Sequence, residues 1–106
     1  MENITSLSTI HEKITENKLT LLYISRPNCS VCHAVLPQVE KLLTNYPEIQ
    51  SFQVNADEVP EIAGEYSIFT IPVVLFFVEG KEMFRKARFI PMEELNYSIR
   101  KIVDLI

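Results

Sequence analysis

Leu19-Thr20-Leu21-Leu22-Tyr23-Ile24-Ser25-Arg26-Pro27-Asn28-Cys29-Ser30-Val31-Cys32-His33 reads as a buried strand running into the first turn of a helix, and it holds both cysteines of the chain. From Leu19 to Ile24 the run is almost wholly apolar, the pattern of a strand covered on both faces at the centre of a parallel sheet. Beyond it, Val31, Val35, Val39, Leu42 and Leu43 recur with helical period and give a broad apolar face over Cys29 to about Asn45. Pro37 falls inside that helix, where it removes one backbone hydrogen bond and is expected to introduce a kink. Tyr46-Pro47 ends it.

The spacing of the cysteines carries chemistry. Residues i and i+3 of a helix share a face with Cβ atoms roughly 5–6 Å apart, and a disulfide needs Cα atoms roughly 4.4–6.8 Å apart. Such a pair opens and closes with little backbone movement. At the helix start, unpaired N–H groups and the helix dipole stabilise an anion on the first sulfur. A redox dithiol follows, with Cys29 as the attacking thiolate and Cys32 as the resolving thiol.

Outward toward the N-terminus, residues 3–5 are expected to form a short edge strand. Leu7, Ile10 and Ile14 then mark a helix from Ser6 to about Lys18, with Thr9 and Glu12 as a candidate capping box. His11 lies near its apolar stripe and reads as a surface or half-buried side chain rather than a ligand. Toward the C-terminus, Ile49 to Val54 alternates as a strand, and a short helix is expected around Pro60 to Tyr66 with Pro60 near its first turn. Pro72 stands at or just before a long apolar strand, Val73 to Val78. Glu79-Gly80-Lys81 forms a hairpin turn. The strand expected next, Glu82 to about Phe89, carries Arg85, Lys86 and Arg88, the charges of an exposed edge that resists sheet-to-sheet association. Pro91 opens a final helix, with Glu93 and Glu94 in its first turn and Leu95, Ile99, Ile102 and Ile106 as its buried stripe. The order is β-α-β-α-β-α-β-β-α.

With 106 residues the chain is expected to be one α/β domain spanning 1–106, large enough to bury a core. A net charge of −4 argues against nucleic acid or an anionic membrane as the main partner. No apolar run is long enough to span a bilayer. Met1-Glu2-Asn3-Ile4 lacks the basic and then apolar regions of a signal peptide, so a cytoplasmic location is expected. There a lone cysteine pair is more often catalytic or metal-binding than a structural staple.

The element order, the dithiol and a proline far downstream resemble the thioredoxin family across essentially the whole chain. Cys29-x-x-Cys32 follows a buried strand, and Pro37 lies eight residues after Cys29, where family members have a helix-kinking proline. Asn55-x-Asp57, Pro60 and Tyr66-x-Ile68 recur at family spacing, and Ile71-Pro72 before Val73 to Phe77 is similar to the family's cis-proline loop and strand. The resemblance implies a central mixed sheet of four or five strands flanked by helices. It implies a cis Ile71–Pro72 bond, with Thr70, Ile71 and Pro72 beside the cysteines as a docking edge for extended peptide substrate. Val73, Ile68 and Phe69 are expected to form an apolar rim there. The activity implied is dithiol exchange with protein or low-molecular-weight disulfides. Recycling is expected from a thioredoxin reductase or a low-molecular-weight thiol, with no cofactor or metal.

This chain departs from the family pattern at several positions. Asn28 stands where tryptophan is common, Ser30-Val31 replaces the usual inner pair, Tyr23 occupies the position of a buried acid, and Gln53 replaces a nearby lysine. Arg26, His33 and Tyr23 are therefore the candidate tuning groups, Arg26 as a cation within reach of Cys29. Together with the amide that Val31 contributes in place of proline, it is expected to raise the potential above the roughly −270 mV of thioredoxin. Other readings compete. A non-catalytic binding or adaptor module of the same fold is favoured by the lost acid and tryptophan. Cys29-x-x-Cys32-His33 also spells a c-type haem attachment site. A zinc site would have too few ligands in Cys29, Cys32 and either His33 or His11, since a closed one takes four.

Overall fold

In the computed structural model, which describes residues 1–106, the apolar run becomes strand β2 (Leu19–Ser25), the middle of a five-stranded sheet. The remaining elements are β1 (Glu2–Ile4), α1 (Leu7–Glu16), α2 (Ser30–Leu43), β3 (Gln50–Asn55), α3 (Ile62–Glu65), β4 (Val73–Val78), β5 (Lys81–Ala87) and α4 (Met92–Leu105). The strands lie in the order β1-β3-β2-β4-β5. β2 is parallel to β3 but antiparallel to β4, so the sheet is mixed at its centre. β1 runs parallel to β3, and β5 antiparallel to β4.

Side chains alternate across each strand, and this divides the interior in two. Leu22, Ile24, Phe52, Val54, Val73, Leu75 and Phe77 pack with Ile10 and Ile14 of α1 and Ile62 of α3. On the opposite face Leu19, Leu21, Tyr23, Val74 and Phe76 pack with Val39 and Leu43 of α2 and Leu95 and Ile99 of α4. The short strand expected near residues 3–5 is β1, whose Ile4 is buried in the first of these clusters. The two-residue turn Glu79-Gly80 has φ of 50° and 85°, the paired positive values of a type I′ hairpin. The Glu79 N–H donates to the Lys18 carbonyl at 2.8 Å, which pins the hairpin to the loop entering β2.

Several local expectations change. The cap of α1 is Ser6, whose Oγ accepts the Thr9 N–H at 3.2 Å. Thr9 already lies inside the first turn, so the Thr9–Glu12 box does not form. The helix begins where its apolar period begins, at Leu7, and that puts the cap one residue earlier. α3 is shorter than expected, with Pro60 ahead of its cap Glu61. β5 stops at Ala87, because Arg88 takes a φ of 68° that breaks extended pairing. On α4, Ile102 is half-buried but Ile106, at the C-cap, is 54% exposed and is not part of the buried stripe.

Arg85 is more than an edge charge. Its guanidinium binds both Glu82 carboxylate oxygens at 2.7 and 2.8 Å. It also donates to the carbonyls of Ser67 and Tyr66 at 3.0 and 2.8 Å, tying β5 to the segment that leads into Pro72.

Phe76 is fully buried and stacked on Phe84, with ring centroids 5.2 Å apart. Phe76→Ala is expected to cost about 3–5 kcal/mol, a large share of the roughly 5–15 kcal/mol that stabilises a domain of this kind. Urea unfolding should show a lowered midpoint with an unchanged slope.

Candidate active site

The N-terminus of α2 has no Ser, Thr, Asp or Asn at its cap. Cys29 occupies that position, and its Sγ accepts the Cys32 N–H at 3.1 Å, the bond a capping oxygen would ordinarily accept. The His33 N–H donates to the Cys29 carbonyl at 3.2 Å and closes the turn. The amides of Ser30 and Val31 have no acceptor within the chain, so the positive end of the helix is open around the sulfur. Cys29 and Cys32 are joined as a disulfide with Cα atoms 5.2 Å apart. The two cysteines are not equivalent: Cys29 is half-buried at the surface and Cys32 is 2% exposed.

Beneath them lies Tyr23. Its ring is buried under α2, and its hydroxyl donates to the Cys32 carbonyl at 2.7 Å. Burial pushes the phenol up to about 12, so it stays neutral through the physiological range and donates a hydrogen bond there. A group held in that state does not accept a proton from Cys32 near neutral pH. Tyr23 thus anchors the backbone of the first turn of α2. Gln53, opposite Tyr23 in the β2–β3 register, donates to the Met1 carbonyl at 3.0 Å.

The two other candidate tuning groups each have a partner in the fold. Arg26 Nε lies 3.3 Å from Asp57 Oδ1, and both side chains are more than half exposed, so this cation is engaged by a carboxylate. His33 uses Nε2 to donate to the Pro27 carbonyl at 2.6 Å, folding the loop before Cys29 back onto the helix. His11 pairs with Glu65 at 3.0 Å on the surface. No three His, Cys, Asp or Glu side chains converge anywhere in the chain.

Across from the dithiol, the Ile71–Pro72 bond is cis and Pro72 is buried. The backbone N–H and C=O groups of Thr70 and Ile71 have no hydrogen-bond partner in the chain, leaving a short open edge. Cys29, Val31, Thr70, Ile71, Arg88 and Phe89 together line a cleft of about 400 Å³. The expected rim is thereby revised. Val73, the first residue of β4, is 2% exposed and belongs to the core, and Ile68 packs against that same core. Phe69 is exposed beside an adjoining hollow that also contains Arg26 and Ile68. The apolar rim of the cleft is Val31, Ile71 and Phe89. In the sequence Arg88 and Phe89 stand at the end of an expected edge strand, and no local pattern points them at Cys29.

A pair that closes at this separation on a helix N-terminus gains or loses two electrons with little backbone movement, and this places the protein among the thiol–disulfide oxidoreductases. The chain belongs to the thioredoxin family, whose model matches residues 3–101. The thioredoxin-like protein YdfQ of Bacillus subtilis (strain 168) is 44% identical over 105 residues, covering 99% of this chain and 94% of its own length. The thioredoxin of Mycoplasmoides gallisepticum is 30% identical over 96 residues, 91% of this chain and 96% of its own. Among solved structures, Fasciola hepatica thioredoxin is similar with a TM-score of 0.84 and 26% identity, over 94% of this chain and 98% of that one. The mixed sheet flanked by helices separates the chain from the mostly helical small cytochromes, and the haem-attachment reading of Cys29 to His33 lapses with it.

Burial raises Tyr66 as well as Tyr23 to about 12, with the Glu65 charge adding to the effect on Tyr66. Both phenols are favoured neutral in the fold. Their contribution is complete below pH about 10, the unfolded value, and is lost as pH rises through about 12. Stability measured by urea unfolding should therefore fall across that alkaline window. Tyr23→Phe should cost about 1 kcal/mol at neutral pH and should make the alkaline fall shallower, leaving the Tyr66 part.

Proposed function

We propose that Cys29 attacks the disulfide of a polypeptide substrate and that Cys32 resolves the product. The reduced Cys29 thiolate displaces one substrate sulfur as thiolate and forms a mixed disulfide. Cys32, deprotonated to water or to the departing sulfur, then attacks Cys29 and releases the second substrate thiol. The Cys29–Cys32 bond forms, and two electrons pass to the substrate. The observation that carries this assignment is the asymmetry of the pair. Cys29 Sγ is accessible and accepts an amide hydrogen bond at the open end of α2, while Cys32 is buried. A substrate disulfide can reach the first sulfur but not the second.

The substrate backbone lies along Thr70 and Ile71 beside Pro72 as an added strand. The unpaired N–H and C=O groups of those residues support this placement. A thioredoxin reductase or a low-molecular-weight thiol returns the disulfide to the dithiol. We place the protein in the reducing cytoplasm, where its only two cysteines serve the exchange. No helix is long and apolar enough to cross a membrane.

Cys32→Ser is expected to accumulate mixed disulfides on Cys29, visible by non-reducing electrophoresis and mass spectrometry, and Cys29→Ser to accumulate none. Equal trapping by the two variants would reverse the assignment. In the reduced wild type, alkylation at neutral pH should label Cys29 at least about ten-fold faster than Cys32.

The reduction potential follows from the same contacts. With Arg26 engaged by Asp57, thiolate stabilisation rests on the Cys32 amide and on the free amides of Ser30 and Val31. These favour the reduced form, so the potential is expected to be less negative than about −270 mV by some tens of millivolts. Equilibration against a defined thiol–disulfide buffer measures it, and a value below thioredoxin's would refute the amide argument.

A further inference from the structure

The wall of the cleft formed by Arg88 and Phe89 is built with some cost to the backbone. Arg88 has φ of 68°, and the Phe89 N–H donates to the Ala87 carbonyl at 2.9 Å. This is a γ-turn of the rarer, positive-φ kind, centred on a residue that is not glycine. Strain of this sort persists where the surrounding structure over-determines it, and it concentrates at binding sites. Here the Arg88 N–H donates to the Pro72 carbonyl at 2.7 Å, which joins the turn to the docking loop. The result is an outward-facing Phe89, 79% exposed, and a guanidinium 5.8 Å from the centre of its ring.

The charge of Arg88 is unanswered. It takes part in none of the five ion pairs of the chain and in no side-chain hydrogen bond, whereas Arg26 and Arg85 both face carboxylates. None of the six residues that line the cleft is acidic. On a chain of net charge −4, the wall beside Cys29 presents a free cation on an aromatic plate. A guanidinium of this kind recognises a carboxylate through paired N–H donors. The aromatic face meanwhile accepts the apolar part of a peptide.

We infer that the Arg88–Phe89 turn selects extended polypeptide substrates carrying Asp or Glu close to the half-cystine that Cys29 attacks. This inference rests on the exchange reaction proposed above and adds its substrate class. The occupant is a polypeptide because the open edge at Thr70 and Ile71 lies on the same cleft and offers main-chain pairing that a small disulfide cannot use along its length. Arg88 is a binding residue here and takes no part in electron transfer.

The test uses the full-length reduced protein and three synthetic peptides. Each carries one cysteine as a mixed disulfide with 2-thiopyridine and has Glu, Gln or Lys two positions away. Release of thiopyridone gives the rate constant for attack by Cys29. The expected order is Glu, then Gln, then Lys, with Glu about five-fold faster than Lys at low salt. In about 1 M salt, where the screening length is about 3 Å, that ratio should approach one. Arg88→Lys should keep the order, Arg88→Gln should bring the Glu/Lys ratio close to one, and Arg88→Glu should reverse it. Because each ratio is taken within one variant, a general loss of stability does not mimic the result.

An unchanged ratio in Arg88→Glu, or a wild-type preference for Lys, would overturn the inference. So would a charge effect seen with a small dicarboxylate disulfide and absent from the peptides. If all three peptides react at one rate, the exchange reading stands and only the charge selection falls. If none reacts through Cys29, with Cys29→Ser behaving as wild type, it is the exchange reading that fails.

Discussion

Burial of β2 on both faces forces cover onto each side of the sheet, and the site is a consequence of how that cover begins. α1 and α3 lie over Leu22 and Ile24, while α2 and α4 lie over Leu21 and Tyr23. Because β2 is central, the chain leaving it has to turn sharply to lay α2 back over the strand. The first turn of α2, which contains the cysteines, is therefore set at the C-terminal end of β2. The helix starts with unpaired amides, and the nearest acceptor is the Cys29 sulfur. In the proposed exchange, the contact that caps the helix is also the one that stabilises the Cys29 thiolate.

The same central strand supplies the group below the dithiol. A carboxylate at the position of Tyr23 would hold a proton acceptor in an apolar layer, at the desolvation cost that raises the affinity of such groups for protons. The phenol there is satisfied by donating to the Cys32 carbonyl, and burial keeps it neutral. The phenol at this position is a backbone anchor that keeps its own proton near neutral pH. In the proposed exchange the proton of Cys32 therefore leaves through solvent or through the substrate sulfur.

Two surfaces meet at Cys29 and come from distant parts of the chain. One is the Thr70–Pro72 segment, whose approach is held by Arg85 bridging from β5 to the carbonyls of Tyr66 and Ser67. The other is the Arg88–Phe89 turn, joined to the first through the Pro72 carbonyl. β5 thus contributes to both walls, one through its guanidinium and one through the turn at its end. The edge of the sheet and the mouth of the site are the same piece of structure.

Periodicity and spacing were enough to read the element order, the two-faced strands, the hairpin at Glu79-Gly80, and the paired cysteines at a helix start. Each of these is set by local sterics or by burial, which leave a mark on neighbouring residues. Resemblance to a family added the cis Ile71–Pro72 bond, which is also found in the structure. Local rules were weaker where two choices satisfied them. Ser6 and Thr9 could each cap α1, and the packing of Leu7, Ile10 and Ile14 chose Ser6. The tertiary structure alone decided the partners of the charges. Arg26 meets Asp57, Arg85 meets the carbonyls before Pro72, and Arg88 is left free beside Cys29. A hydrophobic face has a period because it must lie against something continuous. The partner of a single long, flexible cation is set by which distant segments the sheet brings together, and that leaves no trace in the residues beside it.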